Sequence, residues 1–326
     1  MIYYMKYIIC TSSFTPVDSA PMYGYISNME IISSYKNDPD IPWLKGNLHA
    51  HTKNSKCGHY PLEDVVGIYS DRIMKYDFLA ITDHSLLTEI GNVRNRNGMV
   101  IFSGVEFKKE AYQTLGINIS SYKDDNTAEN NHQEIFDEVN RQGGMNIICH
   151  PHMYRDDYWP PERLLSLEGY AAVEIFNNNV KMNNAGRAAA CDVWDILLSR
   201  GRKVYGIASD DFHHYSRCGG GFIMAQSGEK NEAAILGAIR RGAFYSSSGI
   251  LLKDIWAEGN KIHLAAASPG MPETLFRFIG KNGVLLAEYS GSEAVYAVRG
   301  DECYVRAEAS REDGAMAWAQ PFWISG

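Results

Sequence analysis

The sequence has little of what small secreted, membrane-spanning or polyanion-binding proteins need. Its six cysteines lie far apart without a CxxC pair, so a disulfide framework is not expected and a reducing compartment is the default. No run approaches the roughly 20 apolar residues of a membrane-spanning helix. The net charge of -8 argues against a basic nucleic-acid-binding surface. We therefore predict a cytoplasmic protein that acts on neither membranes nor nucleic-acid polymers, and its oligomeric state stays open.

What the chain does contain is ordinary globular composition, with 45% hydrophobic and 21% charged residues over 326 positions. That length suits one large α/β domain plus a small appendage. We predict an N-terminal extension over 1–40, a large α/β domain over 41–250 and a small β-rich domain over 251–326.

Short apolar runs alternate with helical patterns across the predicted central domain. The runs FLAIT, MVIFSGVEF, MNIICH, AAVEIF and KVYGIAS read as buried parallel strands. Helical patterns lie between them, as in LEDVVGIYSDRIMKY and NHQEIFDEVNRQGG. Repeated parallel crossovers can close into a barrel, whose chemistry sits at the strand C-terminal ends. After about residue 250, alternating runs with turn signals predict antiparallel strands.

Seven of the ten histidines fall at or just after predicted strand ends. His49 and His51 in GNLHAHT share the two-residue spacing that places side chains on one side of a strand. Packed strand histidines remain the alternative reading of that pair. The other members of the seven are His59, His84, His150, His152 and His213.

Hard-oxygen ligands occur at similar positions. Asp83 follows FLAIT, where it could also cap a helix, and Asp211 follows KVYGIAS. Glu106 ends a further apolar run, where burying a carboxylate is costly unless a cation or hydrogen bonds compensate it. Five strand ends that supply nitrogen and oxygen ligands predict a site for several metal ions.

The ordered set GNLHAHT, ITDHS, SGVEF, CHPH and SDDFHH resembles the PHP (polymerase and histidinol phosphatase) family over about residues 45–215. The start WLKGNLHAHT and the C-terminal tail are similar to its CehA/McbA-like branch. The resemblance implies a distorted, TIM-like (β/α)7 barrel with two or three divalent ions, namely Zn, Mn or Fe. It implies as metal ligands His49, His51, His84, Glu106, His150, Asp211 and His213, with Asp83 orienting a ligand.

The chain departs from the family pattern at two places. No histidine lies between His84 and His132, where members often carry one, so the second ion is one nitrogen short. The loop after the first motif reads NSKCGHYP, so Cys57 or His59 replaces the usual aspartate, or neither does. Cys57 as a ligand would favour zinc, and a free thiol is the alternative.

The function implied is a phosphoesterase acting on a small phosphorylated metabolite or nucleotide through a metal-activated hydroxide. Arg217 in YSRCGGG is the candidate for contacting the phosphate, although such an arginine can equally be a solvated charge. His152 is assigned a supporting catalytic role. The alternatives are carbamate or ester hydrolysis at the same metals, or a non-catalytic metal-binding module.

Overall fold

A computed structural model describes residues 29–91, 93, 97–122, 131–267 and 273–325. Most of the predicted extension over 1–40 lies outside the described residues. None of the described helices is both long and apolar enough to cross a membrane. The predicted divisions at residues 40 and 250 stay predictions.

Strands dominate the described part of the chain. In the N-terminal two thirds they are β1 (Glu30–Ile32), β2 (Trp43–Asn47), β3 (Phe78–His84), β4 (Val100–Lys109), β5 (Tyr112–Ile117), β6 (Met145–Ile148), β7 (Tyr170–Asn177), β8 (Tyr205–Ser209), β9 (Phe222–Gln226) and β10 (Phe244–Ser247). They continue with β11 (Leu252–Glu258), β12 (Lys261–Ala266), β13 (Thr274–Ile279), β14 (Leu285–Gly291), β15 (Glu293–Ala297), β16 (Tyr304–Ser310), β17 (Met316–Ala319) and β18 (Phe322–Ser325).

The helices are short, and their ends follow from local sequence. They are α1 (Leu62–Tyr69), α2 (His132–Arg141), α3 (Pro161–Ser166), α4 (Asn178–Asn183), α5 (Cys191–Ser199) and α6 (Glu232–Arg240). Asn131 caps α2 by accepting hydrogen bonds from two backbone N–H groups, and Gly143 follows the helix at a φ of 75°. The predicted helix over 62–76 is too long, since α1 ends at Tyr69.

The central sheet is mixed, in the order β9-β2-β3-β4-β5-β6-β7-β8. Its β2-β3-β4 and β6-β7-β8 segments are parallel, as the sequence predicts. β5 pairs antiparallel with both β4 and β6 instead. A tight turn with positive φ at Glu110 and Ala111 joins β4 directly to β5, so no crossover helix forms there.

The expectation of a closed (β/α)7 barrel is not met, because the sheet is not closed. On the far side of β8, side chains replace a neighbouring strand. Gln320 both accepts from Gly206 N–H (2.9 Å) and donates to its carbonyl (2.8 Å), while Ser246 accepts from Ala208 N–H (2.9 Å). Beyond β8, a parallel bridge between Ala50 and Phe212 joins the chain to the segment after β2, and Asp210 N–H donates to Asn47 Oδ1 on β2 at 3.0 Å.

The C-terminal strands are antiparallel, as predicted, and continue the sheet through the β10–β17 pair. A separate three-stranded sheet has the order β11-β12-β15. The C-terminal strands also contact the helical layer through a buried ion pair. Arg306 on β16 donates to both carboxylate oxygens of Asp195 on α5, each at 2.7 Å.

We expect Arg306→Ala to lower the free energy of unfolding by about 3–5 kcal/mol, because it leaves the Asp195 carboxylate buried without its partner. Arg277→Ala is the matched control, since it removes a half-exposed pair with Glu288 and should cost less than about 1 kcal/mol. Urea unfolding of both variants measures the difference. Equal losses in the two variants would contradict a buried structural role for the Arg306 pair.

Candidate metal centre

The first histidine pair lies just past the end of β2, and its imidazoles meet. His49 Nε2 and His51 Nε2 are 3.1 Å apart, and both side chains are fully buried. Glu106 Oε2 lies 3.3 Å from the first nitrogen and 3.2 Å from the second. Asp211 Oδ1 lies 3.3 Å from each. The segments after β2 and β8 and the interior of β4 thus bring two nitrogens and two carboxylate oxygens to one point.

These spacings fit a coordinated cation. Ligand atoms about 2.0–2.1 Å from a tetrahedral zinc ion lie roughly 3.3–3.4 Å from one another. Glu106 Oε2 and Asp211 Oδ1 are also buried without a hydrogen-bond partner among the described residues, although imidazole nitrogens surround them. A buried carboxylate oxygen in that state needs a positive charge. The donors therefore suit a divalent metal ion.

The pKa shifts in the cluster also indicate that it favours a positive charge. Burial opposes ionisation of Glu106, but the charge of His49 and the neighbouring imidazoles hold the pKa of this carboxyl well below its usual range. Burial likewise lowers the pKa of His49, yet Asp211, Glu174 and Glu106 together raise it well above its ordinary value. The carboxylates around His49 therefore favour a positive charge at this position.

Glu106 presents its two oxygens to different groups. Oε1 lies 3.4 Å from His150 Nε2, while Oε2 lies 2.9 Å from His84 Nδ1 on the other side. Groups of potential ligand atoms therefore form on both sides of this carboxylate, one of them with His49 and His51 and another with Cys149 and His150. This arrangement suits a carboxylate shared by two ions.

Two of the candidate ligands have strained backbones. His150 has a φ of 28° and Asp211 a φ of 48°, both in the left-handed region that non-glycine residues rarely adopt. His150 precedes Pro151, and its backbone N–H donates to Glu174 Oε2 at 2.8 Å. Strain of this kind persists where surrounding contacts enforce it, and it concentrates at functional sites.

Glu174 is a site residue that the sequence analysis missed. It is fully buried on β7 and accepts a hydrogen bond from His49 Nδ1 at 2.8 Å and from Ser209 Oγ at 2.5 Å. With Nδ1 protonated, His49 directs the lone pair of Nε2 into the cluster. A charged residue within the apolar run AAVEIF was the available signal.

Asp83 positions His51 indirectly, much as Glu174 positions His49. It accepts hydrogen bonds from Ser55 Oγ (2.6 Å) and from Thr52 N–H (2.8 Å). Ser55 Oγ in turn lies 3.1 Å from His51 Nδ1. Asp83 therefore contacts the ligand group through Ser55 and holds the loop after the first motif against β3.

An outer group of ligands surrounds His51. His84 and His213 bring ring nitrogens within 4.8 Å of one another and of His51. Cys57 Sγ lies 3.1 Å from His213 Nε2. Burial raises the pKa of the Cys57 thiol, but hydrogen bonds from His213 and His84 outweigh it and lower that pKa to about 6. Cys57 of the NSKCGHYP loop thus contacts the outer group, while Ser55 of the same loop contacts His51.

Two predicted residues have other contacts. His59 packs its ring against Tyr60 and His214 and lines the cavity over the ligands, but it belongs to none of the ligand groups. His152 has both ring nitrogens engaged, since Nδ1 meets the Asp156 carbonyl and Arg187 donates to Nε2 at 2.7 Å. It holds its loop in place and does not line the cavity over the ligands.

That cavity has a volume of about 350 Å³. Glu106, His150, Asp211 and His213 form part of its floor, and Arg217 lies in its wall. Arg217 Nε donates to Asn179 Oδ1 at 3.1 Å, and Asn179 Nδ2 donates to Asp211 Oδ2 at 3.3 Å. The predicted phosphate-contacting arginine therefore faces the cavity and is connected to a ligand carboxylate.

No family model and no curated protein matches the chain. A solved structure from Bacteroides vulgatus ATCC 8482, described as a two-domain protein containing a predicted PHP-like metal-dependent phosphoesterase, is similar to it. The two share 12% identity at a TM-score of 0.49, with 88% of this chain and 97% of that chain covered.

We expect Glu174→Gln to weaken Zn²⁺ binding by about 10–100-fold, because the neutral amide no longer fixes the His49 ring. Competition with a chromophoric chelator measures the affinity. Glu302→Gln is a matched control, since it alters another buried carboxylate, one that accepts from Tyr296 and lies outside the ligand groups. Unchanged affinity in Glu174→Gln would refute the positioning role.

If Cys57 joins the outer group, Co²⁺-loaded protein will show a sulfur-to-cobalt charge-transfer band, because cobalt reports thiolate ligation. Cys57→Ser should remove the band. Cys303→Ser, which alters the other exposed cysteine of the described residues, should keep it. A band that survives in Cys57→Ser would exclude this thiolate as a ligand.

Proposed function

We propose that the chain is a PHP-type metal-dependent hydrolase, most simply a phosphoesterase for small phosphorylated substrates. The observation that carries the proposal is the convergence of His49, His51, Glu106 and Asp211 around carboxylate oxygens that have no hydrogen-bond partner among the described residues. The ordered PHP-like motifs supply each of these four residues. The open, mixed sheet from β2 to β8 accommodates the site.

The donor set indicates which ions would bind. Imidazole nitrogens and carboxylate oxygens suit Zn, Mn or Fe, and Cys57 favours zinc in the outer group. Two ions could share Glu106, and the outer group with His84 and His213 would hold a third. When bound, such ions polarise a phosphoryl oxygen and lower the pKa of a coordinated water toward about 7.

The chain's own residues then bind and orient the substrate. Arg217 presents a guanidinium to the cavity, where it can pair with non-bridging phosphate oxygens. Its hydrogen bonds to Asn179 (3.1 Å) and Asn183 (2.5 Å) hold it in position. Glu174 and Asp83 keep the first two histidines aligned, so that the ligand geometry exists before substrate arrives.

We expect His49→Ala and Asp211→Asn to lower metal-dependent turnover of 4-nitrophenyl phosphate by at least about 100-fold, since each removes a metal ligand. Unfolding should stay cooperative in both. The control is His263→Ala, which alters a histidine stacked on Trp256 outside the ligand groups. Wild-type rates in either ligand variant would refute the assignment.

Carbamate or ester hydrolysis is the alternative reaction, and the same assay with an aryl carbamate distinguishes it from phosphoester hydrolysis. Chelator-sensitive hydrolysis of the phosphomonoester supports the phosphoesterase. Hydrolysis of the carbamate alone would assign the protein to the carbamate and ester hydrolases. Bound metal without turnover of either compound would favour a non-catalytic metal-binding module.

A further inference from the structure

A second cavity adjoins the metal centre. It has a volume of about 520 Å³ and shares three lining residues, His84, Gln113 and Tyr154, with the cavity over the ligands. The two cavities therefore lie side by side at these three residues. A substrate held at the metal centre can extend into the second cavity, which we call the side pocket.

The register of β4 places a cation on the floor of the side pocket. Glu106 and Lys108 are two residues apart on this strand, so their side chains leave the same face about 6–7 Å apart along it. Lys108 pairs in register with Gln113 on β5, so the two side chains leave the same face as neighbours, and both line the side pocket. Among the described residues, Lys108 has no carboxylate partner within ion-pair distance.

Gln113 is oriented as a donor toward the side pocket. Its backbone carbonyl accepts from Cys149 N–H (3.2 Å) and from Trp159 Nε1 (3.3 Å), which anchors the residue. Tyr158 Oη donates to Gln113 Oε1 at 3.3 Å. With that oxygen engaged, the amide NH₂ group is the side-chain end left to donate.

Arg155 adds a second cation from the opposite loop. Its Nε pairs with Asp157 Oδ1 at 3.1 Å, which leaves the two terminal NH₂ groups of the guanidinium for a ligand. Asp157 itself does not line the side pocket, and neither does any other Asp or Glu among the described residues. In a chain of net charge -8, a pocket with two cations and no carboxylate selects for negative charge.

We propose that the side pocket binds a second anionic group, a carboxylate or a phosphate, carried by the leaving group of the substrate. The preferred substrates are then small phosphoesters with a second anion about three carbon atoms from the scissile phosphate. This inference rests on the proposed phosphoesterase function and adds the substrate class. Lys108 and Arg155 determine specificity through binding.

The test uses three esters that differ only at their far end: 3-hydroxypropyl phosphate, 3-phosphooxypropanoate and propane-1,3-diyl bisphosphate. The wild-type protein should bind at least one of the two doubly anionic esters with a KM about tenfold below that for the hydroxypropyl ester, and the better one identifies the anion. Lys108→Ala and Arg155→Ala should each raise that lower KM by about tenfold, as expected for loss of one charge-assisted hydrogen bond. Both variants should keep kcat, and their KM for the hydroxypropyl ester, within about twofold of wild type.

Lys253→Ala is the matched control, because it removes an exposed lysine of β11 outside both cavities. It should leave KM unchanged for every ester. If the wild type hydrolyses all three esters with equal KM, or if the two pocket variants behave as this control, the proposed subsite is wrong while the phosphoesterase function stands.

If the wild type hydrolyses none of the esters, the 4-nitrophenyl phosphate assay decides the proposed function. Calorimetric titration of Zn²⁺-loaded protein with the bisphosphate then decides the subsite alone. Binding that weakens about tenfold in Lys108→Ala supports it. Equal affinity in Lys108→Ala and wild type, or absence of binding to both, overturns it.

Discussion

The constraint on which the site depends is the burial of three carboxylates in one small volume. Glu106, Glu174 and Asp211 are all at most 3% exposed, and each lies within 3.3 Å of a nitrogen of His49. Such negative charge is stable only if cations or hydrogen bonds compensate it. Hydrogen bonds from His49 and Ser209 engage Glu174, whereas Glu106 and Asp211 each keep one oxygen without such a partner in the described structure. The surrounding hydrogen bonds therefore decide which carboxylate positions a ligand and which supplies one.

Much of the candidate site could be predicted from sequence because its ligands directly follow apolar runs, where parallel strands deliver side chains to one edge. His49, His51 and Asp211 fit that pattern, and the structure brings them together. Glu174 was not predicted, because it lies inside its strand and its partners are distant in sequence. His152 illustrates the converse, since its place in the CHPH motif says nothing about the Arg187 contact that engages its ring.

The fold was predicted less completely, for a physical reason found in the turn after β4. Nothing in the pattern shows that Glu110 and Ala111 adopt positive φ, yet this turn makes β5 antiparallel and interrupts the repeating crossover. It also places Gln113 beside Lys108 on the face that Glu106 occupies. The departure from a regular barrel thus creates the side pocket next to the metal centre.

The open side of β8 is where the C-terminal strands contact the element that positions Asp211. β8 leads directly into Asp211, so its position determines where that carboxylate lies. Gln320 and Ser246 satisfy the backbone groups of Gly206 and Ala208 that a neighbouring strand would otherwise pair. Since Ser246 lies on β10 and Gln320 follows β17, the antiparallel strands hold in place the strand that precedes the candidate ligand Asp211. A barrel closed by its own strands would not need them, whereas this open sheet does.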